Sequence, residues 1–328
     1  SCPGIKCSEF NDCFFYTSRR AASEADILVV NHHLLFADLA LRADTAEYSQ
    51  TAVIPACKIF ILDEAHNLEE TATKHFGFRT TSVGVQRALN KIYQKRGRRE
   101  HGTLASLYSM ISFGRGEFSV EDRAALLQDI SEEMIPSRLE IGDISRSLFD
   151  VVTTFITDPT KAQYGEYRLR IGPKEEKRGE FSTLVHFAFK LRDECKRLGA
   201  KMRKIARKIG NLLGEEGDEE NECFELPLTE LNSYASRLDE IAGGVNILFD
   251  TGAADREIFV HFFTAAFRKN AVYTAFHSLP IEVSKPMLEY CFKKIPSTIL
   301  VSGTMTTAHD FSFIRNRLGL DSEELLPA

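Results

Sequence analysis

Asp63 and Glu64 are adjacent carboxylates closing an apolar run, in the string KIFILDEAH over residues 58–66. In open parallel sheets, ligands gather outside the carboxyl ends of strands. Two carboxylates at such an end can divide the work. Asp63 can hold magnesium, mostly through water, because that ion keeps an octahedral aqua shell. Glu64 can orient and deprotonate an attacking water. Ala65 keeps the turn small, and His66 can hydrogen-bond across to another loop. The set suits a magnesium-bound triphosphate. The plainer alternative is that both acids open a helix, where negative charge meets the N-terminal dipole. A metal-dependent hydrolase using Asp63, Glu64 and His66 directly is a third alternative. It is disfavoured, because ligands on one turn without a second His motif make a poor metal site.

Cys2, Cys7 and Cys13 form a second group, spaced C-x4-C-x5-C. Zinc sites use tighter C-x2-C hooks, so zinc fits less well. Looser spacing suits a cubane cluster, in which each of four irons takes one thiolate. Three thiols leave one ligand to find. Cys195 sits on a helical seam as a core residue. Cys57 precedes a strand, Cys291 lies on an amphipathic helix, and Cys223 stays ambiguous. A triphosphate site also needs a loop for the phosphates. No G-x-x-x-x-G-K-[ST] string occurs; RKIGN and GPKEEK have the wrong order. The chain has the carboxylates without the backbone nest and its lysine.

The elements that must position these groups follow from periodicity. Ile27 to Val30 reads as a buried strand, with a helix from His33. Lys58 to Leu62 reads as a second strand, turning at Asp63 into a helix that runs to about Phe76. Two strand–helix units in succession indicate α/β architecture. Residues 82–250 are mostly helical. Leu191, Cys195, Leu198, Met202, Ile205, Ile209 and Leu212 recur at alternating steps of four and three, a coiled-coil-like seam. Leu228, Leu231, Ala235, Leu238, Ala242, Val245 and Phe249 form a matching stripe beyond the acidic turn EEGDEENE, so an antiparallel helical hairpin is expected. EYRLRI over 166–171 alternates like a short strand. EIFVHFFTAA and AVYTAFHSLP read as strands, VSKPMLEYCFKK as a helix capped by Ser284, and STILVSGTMTT as a buried strand entering a small-residue loop.

Composition sets the outer bounds. The 328 residues are 43% hydrophobic, enough for more than one compact unit. Lys plus Arg is 41 and Asp plus Glu is 47, giving −6. Global charge therefore gives no support to nucleic-acid binding, and any basic surface must be local. No stretch approaches a membrane span, and no N-terminal signal pattern is seen. A cytoplasmic setting is the default, where clustered cysteines bind metal more often than they pair. The opening SCPGIKC lacks a starting Met, which hints at a piece of something longer. Two basic groups stand out: Arg87, Lys91, Lys95, Arg96, Arg98 and Arg99 within RALNKIYQKRGRRE, and a helical stripe of Arg197, Lys201, Lys204 and Lys208. Each can contact phosphates without reading sequence, or form a solvated helix face.

LDEAHN resembles the DEAH form of the Walker B box of superfamily-two helicases, most closely the DinG/XPD branch of iron–sulfur helicases. CPGIKCSEFNDCFFYTSRRAASEADILVVNHHLLFADL resembles that branch's cysteine segment running into its Asn-His strand. SLPIEVSKPM resembles the segment re-entering the first motor domain, and ILVSGTMT resembles motif III. The NHHLL pattern brings the bacterial DinG-like group nearest. The resemblance implies a partial RecA-like, parallel-sheet motor domain with a large, mostly helical arch insertion. It implies an iron–sulfur module ending over 1–20, motor domain 1 over 21–80 and 256–328, and the arch over 81–255. The Walker A segment and motor domain 2 are expected to be missing. It further implies an ATP-dependent, 5′-to-3′ DNA helicase working on single-stranded or forked DNA in repair or replication. The setting would be bacterial, cytoplasmic and nucleoid-associated. Cofactors would be ATP, Mg2+ and a 4Fe-4S cluster on Cys2, Cys7 and Cys13, whose fourth ligand lies upstream in the family. Asp63 would bind magnesium, Glu64 would activate water and His66 would couple to DNA. Ser302 and Thr304 match the motif III residues linking the nucleotide and DNA sites. Arg19, Arg20 and the α-helical stripe Arg197, Lys201, Lys204 and Lys208 become candidate DNA contacts. Phe14, Phe15 and Tyr16 stack on bases or pack the module, with packing expected for at least two. The chain alone is expected not to hydrolyse ATP. The alternative is a non-catalytic module that clamps DNA or a protein.

Overall fold

The computed structural model describes residues 7, 9–45, 48, 52–157, 165–214, 221–250, 258–268, 271–306 and 310–321. Along the chain run α1 (Phe14–Glu24), α2 (His32–Thr45), β1 (Ile59–Leu62), α3 (Leu68–His75), β2 (Phe78–Thr81) and α4 (Ser82–Ile92). A short hairpin of β3 (Gln94–Arg96) and β4 (Arg99–His101) leads into α5 (Thr103–Ser112), α6 (Val120–Gln128) and α7 (Ile135–Ile156). Then come β5 (Gly165–Arg170), α8 (Pro173–Glu176), α9 (Gly179–Leu213) and α10 (Glu222–Phe249). Strands β6 (Phe259–Arg268) and β7 (Ala271–Pro280) precede α11 (Ser284–Met287), β8 (Ser297–Leu300) and α12 (Ser312–Leu318). The described residues form two compact units. One takes those from 79 to 250 with 261–278; the other takes those up to 78, 258–260, and 279–321.

The second unit holds the α/β part. Strands β1 and β8 pair in parallel, with Ile59 opposite Ser297 and Leu62 opposite Leu300. Phe60, Leu62 and Leu300 face a core built by Leu35, Phe36 and Leu39 of α2, Leu68 and Ala72 of α3, Met287 of α11 and Leu318 of α12. The opposite face is bare: Ile59 is 60% exposed and Ile61 67%. Both strands were expected to be buried. Parallel strands are buried only when both faces are covered, and among the described residues one face is. The run at 27–30 also departs from expectation. It makes no ladder among the described residues; Leu28 and Val30 pack on the core while Ile27 and Val29 are exposed. Helix α2 opens where the Leu34 N–H donates to Asn31 Oδ1 at 2.8 Å. Ser284 is not the cap of α11 but its first residue, and the helix continues as a wider turn to Phe292. A buried ion pair fixes the approach to β1. Asp38 accepts from Arg42 Nε at 2.6 Å and from the Val53 and Ile54 N–H groups, while Arg42 donates on to the Ile54 carbonyl.

The first unit is the helical one. The expected hairpin forms between α9 and α10. Leu191, Cys195, Leu198, Met202 and Ile209 of one are fully buried, as are Leu231, Ala235, Leu238, Ala242 and Val245 of the other. Gly199 permits the close approach: a Cβ there would lie 3.4 Å from the Ala235 carbonyl oxygen. A four-stranded sheet, ordered β2-β7-β6-β5, completes the unit. Its inner face sets Phe263 and Phe276 against Phe149, Phe155 and Phe249 of the helices. This aromatic layer gathers 261–278 with the helices, although in sequence these strands lie beyond residue 255. The chain is thus mixed α/β, with a parallel strand pair and a mostly helical insertion between its members, as in a partial RecA-like motor domain.

On the outer face of that sheet the His277 ring stacks on Phe262 with centroids 4.4 Å apart, and it hydrogen-bonds Thr264 Oγ1 at 3.1 Å. Burial, then the guanidinium groups of Arg79 and Arg168, hold its pKa down to about 4. Between pH 6.5 and 4 the unfolded chain therefore takes up a proton that the folded one refuses. This stability is present above about pH 6.5 and lost as pH falls through about 4. Urea titrations across that window should show the helical unit weakening toward low pH. His277→Gln should flatten the dependence.

Candidate functional site

The site is built on the parallel pair. Beyond Leu62 the ladder carries on: the Val301 N–H donates to the Leu62 carbonyl at 2.9 Å, and the Ala65 N–H donates to the Val301 carbonyl at 3.0 Å. The Asp63–His66 turn is thereby stapled to the loop after β8. Within the turn, the Glu64 N–H donates to Asp63 Oδ1 at 2.9 Å. Glu64 itself stands at φ 51°, ψ 45°, the only non-glycine residue with positive φ among the described residues. A bulky residue is costly there, and the two backbone bonds flanking it hold it in place. Asp63 and Glu64 both present exposed carboxylates.

His66 makes the cross-loop contact anticipated from its position. Its Nδ1 lies 2.8 Å from Ser302 Oγ and 3.3 Å from Glu64 Oε2. Only a proton on Nδ1 satisfies both oxygens, since a bare Nδ1 would face the carboxylate lone pairs. The Thr304 N–H donates to the same Ser302 Oγ at 3.4 Å. Asp63, Glu64, His66, Ser302 and Thr304 thus come together at one end of the sheet. The water-reactive chemistry such a group can do is a carboxylate-assisted attack beside a bound cation.

Other predicted residues lie elsewhere. Cys7 and Cys13 are half-buried free thiols on the turn entering α1, and Cys2 lies outside the described residues. Cys195 and Cys291 are core residues whose thiols burial pushes up to about 12, so neither offers a thiolate. Cys57 is half-buried and its thiol donates to the Pro55 carbonyl, while Cys223 is exposed. Helix α1 buries no residue. Phe14 is 92% exposed, whereas Phe15 meets Tyr16 edge-on at 5.3 Å beneath the Arg19 guanidinium, and Tyr16 packs on Phe10 at 4.4 Å, so two of the three aromatics pack as expected. Arg19 donates to the Ala52 carbonyl, and Arg20 to the Asn11 carbonyl and Thr17. On α9, Arg197 pairs with Glu194 at 2.8 Å and Lys201 with Glu133 at 2.9 Å. Lys204 is exposed and Lys208 half-buried. His33 meets His75, Nδ1 to Nε2, at 3.2 Å. Sequence reasoning missed the Arg317–Glu69 bridge, at 3.0 Å through Nε, which ties α12 to α3. It joins residues 248 apart, and no local pattern marks it.

Residues 5–84 match the DEAD_2 family. The ATP-dependent DNA helicase YoaA of Haemophilus influenzae is 40% identical over 25% of the chain and 12% of its own length. The 3′-5′ exonuclease DinG of Bacillus subtilis is 24% identical over 94% of the chain and 30% of its own length. The ATP-dependent DNA helicase DinG of Salmonella choleraesuis is 20% identical over 98% of the chain and 40% of its own length. The chain spans well under half the length of these curated relatives. DEAH thus stands at a parallel strand end, linked by His66 to the SGT loop, in a chain that is similar to DinG-type helicases and matches the DEAD_2 family over residues 5–84.

Proposed function

We propose that this chain is the part of an ATP-dependent DNA helicase that holds magnesium and activates the attacking water, moving 5′ to 3′ on single-stranded DNA. The observation carrying the proposal is the His66–Ser302 contact at 2.8 Å. It joins the catalytic turn to the loop that would report nucleotide state to the DNA side. Asp63 would hold the ion, since its carboxylate is exposed and only one oxygen is engaged, by the Glu64 N–H. Such an ion neutralises phosphate charge as the terminal phosphoryl group leaves. Glu64 would accept the proton of the attacking water, with its exposed carboxylate steadied by His66 Nδ1 at 3.3 Å.

Motor domain 1 would comprise the unit of residues up to 78 with 279–321, and the arch the helical unit, including 261–278. Residues 1–20 would close the iron–sulfur module. Thiolates are the donors such a cluster takes. Cys7 and Cys13, free and half-buried on one turn, fit as two of its ligands. Cys2 would be the third, and the fourth would come from outside this chain. A cluster there would supply a rigid brace for the module rather than reaction chemistry. DNA would run past the module and the arch, with Arg19, Arg20, Lys204 and Lys208 as contacts. ATP hydrolysis would need the phosphate loop and second motor domain of a longer protein, so the isolated chain should be silent.

Three measurements follow. ATP turnover by the 328-residue chain, with and without single-stranded DNA, should be absent, and present in a longer protein carrying the missing segments; turnover by the chain itself would overturn the assignment of parts. In the longer protein, Glu64→Gln should keep nucleotide binding and lose turnover by about a hundredfold or more; undiminished turnover ends the water-activating role. Ser302→Ala there should leave DNA-free turnover intact and reduce stimulation by DNA, by up to about tenfold for one lost hydrogen bond.

A further inference from the structure

The helical unit carries a basic prong. Strands β3 and β4 project beyond α4 as a three-rung hairpin, with Gln94 opposite His101, Lys95 opposite Glu100, and Arg96 opposite Arg99. Gly97, at φ 60°, and Arg98 make the turn. The middle rung is complementary: Lys95 Nζ lies 3.6 Å from Glu100 Oε1. That carboxylate also lies close enough to Tyr93 to help burial raise the phenol's pKa. The last rung sets two guanidinium groups directly across from each other, with a third beside them in the turn. Like charges directly opposite destabilise a strand pair. Arg96 Nε reaches only Gln94 Oε1, and Arg98 and Arg99 have no ion-pair partner among the described residues.

A three-residue hairpin is marginal by itself, yet this one is held firmly at its base. Gly102 stands at φ 103°, and a Cβ there would sit 2.7 Å from the Ile92 carbonyl oxygen, so the returning strand closes tightly on the end of α4. That end is clamped by Arg138 of α7, whose Nε donates to the Leu89 carbonyl and whose Nη2 donates to Asn90 Oδ1, both at 2.9 Å. Tyr93 and Ile92 are buried just behind. The base is rigid and the tip is repulsive. An anion bridging the guanidinium forks removes the repulsion and gains charge-assisted hydrogen bonds. Lys91 and Arg87, exposed four residues apart on α4, extend the same basic run.

We propose that this hairpin is a phosphodiester-binding prong, with Arg96, Arg98 and Arg99 gripping backbone phosphates of single-stranded DNA. The proposal rests on the DNA-translocating reading above and adds a contact point to it. A chain of net charge −6 repels a polyanion at long range, so a small, anchored cluster of cations is what permits close approach.

The test is the salt dependence of binding. Fluorescence anisotropy with a labelled oligothymidine measures the affinity of the 328-residue chain from low to moderate salt. Replacing Arg96, Arg98 and Arg99 together by Gln should lower affinity and shrink the slope of log K against log salt by about 0.7 for each phosphate no longer neutralised. Arg99→Glu places an opposite charge across from Arg96. It should hold or raise thermal stability while weakening binding, a combination that a purely structural role cannot produce. Equal slopes and affinities in wild type and variants overturn the prong, as does wild-type chain that fails to bind. Inorganic phosphate displacing the oligonucleotide at matched ionic strength would assign the tip to free anions and also overturn it. The hydrolysis assays with Glu64→Gln read a different unit, so each proposal can fail alone.

Discussion

Everything at the candidate site depends on one parallel pairing, β1 with β8. Its register brings His66 within hydrogen-bonding distance of Ser302 across 236 residues of chain. A parallel pair always needs a crossover, and here the crossover contains the entire helical unit. Loop-closure entropy grows only with the logarithm of loop length. The insertion is therefore tolerable if it folds around its own core. It does: its aliphatic and aromatic cluster shares no residue with the cluster beneath the sheet. The pairing then acts as a fixed seam at which the two halves of the site meet.

The turn beyond that seam trades conformational ease for chemistry. A glycine at position 64 would accept φ 51° without strain but would carry no carboxylate. Glu64 is held there by its neighbours: the Asp63 carboxylate takes its N–H, and the next amide is taken by Val301. Those same two bonds occupy only backbone amides and one Asp63 oxygen, so the Glu64 carboxylate is left to meet His66 Nδ1 at 3.3 Å. The constraint explains why a small residue follows. Ala65 is fully buried, and a larger side chain would push the turn off the β8 loop.

What was legible in the sequence divides along the range of the physics involved. The α9–α10 seam was legible residue by residue, because helical periodicity is local and both stripes find each other across one short turn. The DEAH turn and its His66 bridge were legible because an apolar run ending in two acids constrains its own surroundings. Exposure was not. Ile59, Ile61, Ile27 and Val29 have the composition of buried strands, and only their neighbours in space decide whether they are covered. Nor was the grouping of β6 and β7 with the helices, which is set by Phe149 and Phe249 meeting Phe276 and Phe263 far along the chain. Glu64's left-handed backbone and the Arg317–Glu69 bridge likewise leave no local trace.

Basic residues show the same division in sharper form. The α9 stripe and the 94–101 hairpin look equally cationic as strings. The fold distinguishes them by what each charge already touches. Arg197 and Lys201 are satisfied within the unit, by Glu194 and Glu133, and a phosphate would have to displace a carboxylate from each. At the hairpin tip Glu100 is paired with Lys95, and the register sets Arg96 opposite Arg99, with only the neutral Gln94 amide oxygen accepting from Arg96. A cation already paired loses its partner when it binds an anion, whereas one facing a like charge gains twice, from the new bond and from the repulsion removed. The distribution of acids around each cluster, not the number of its cations, therefore decides which of the two is ready to receive a phosphate.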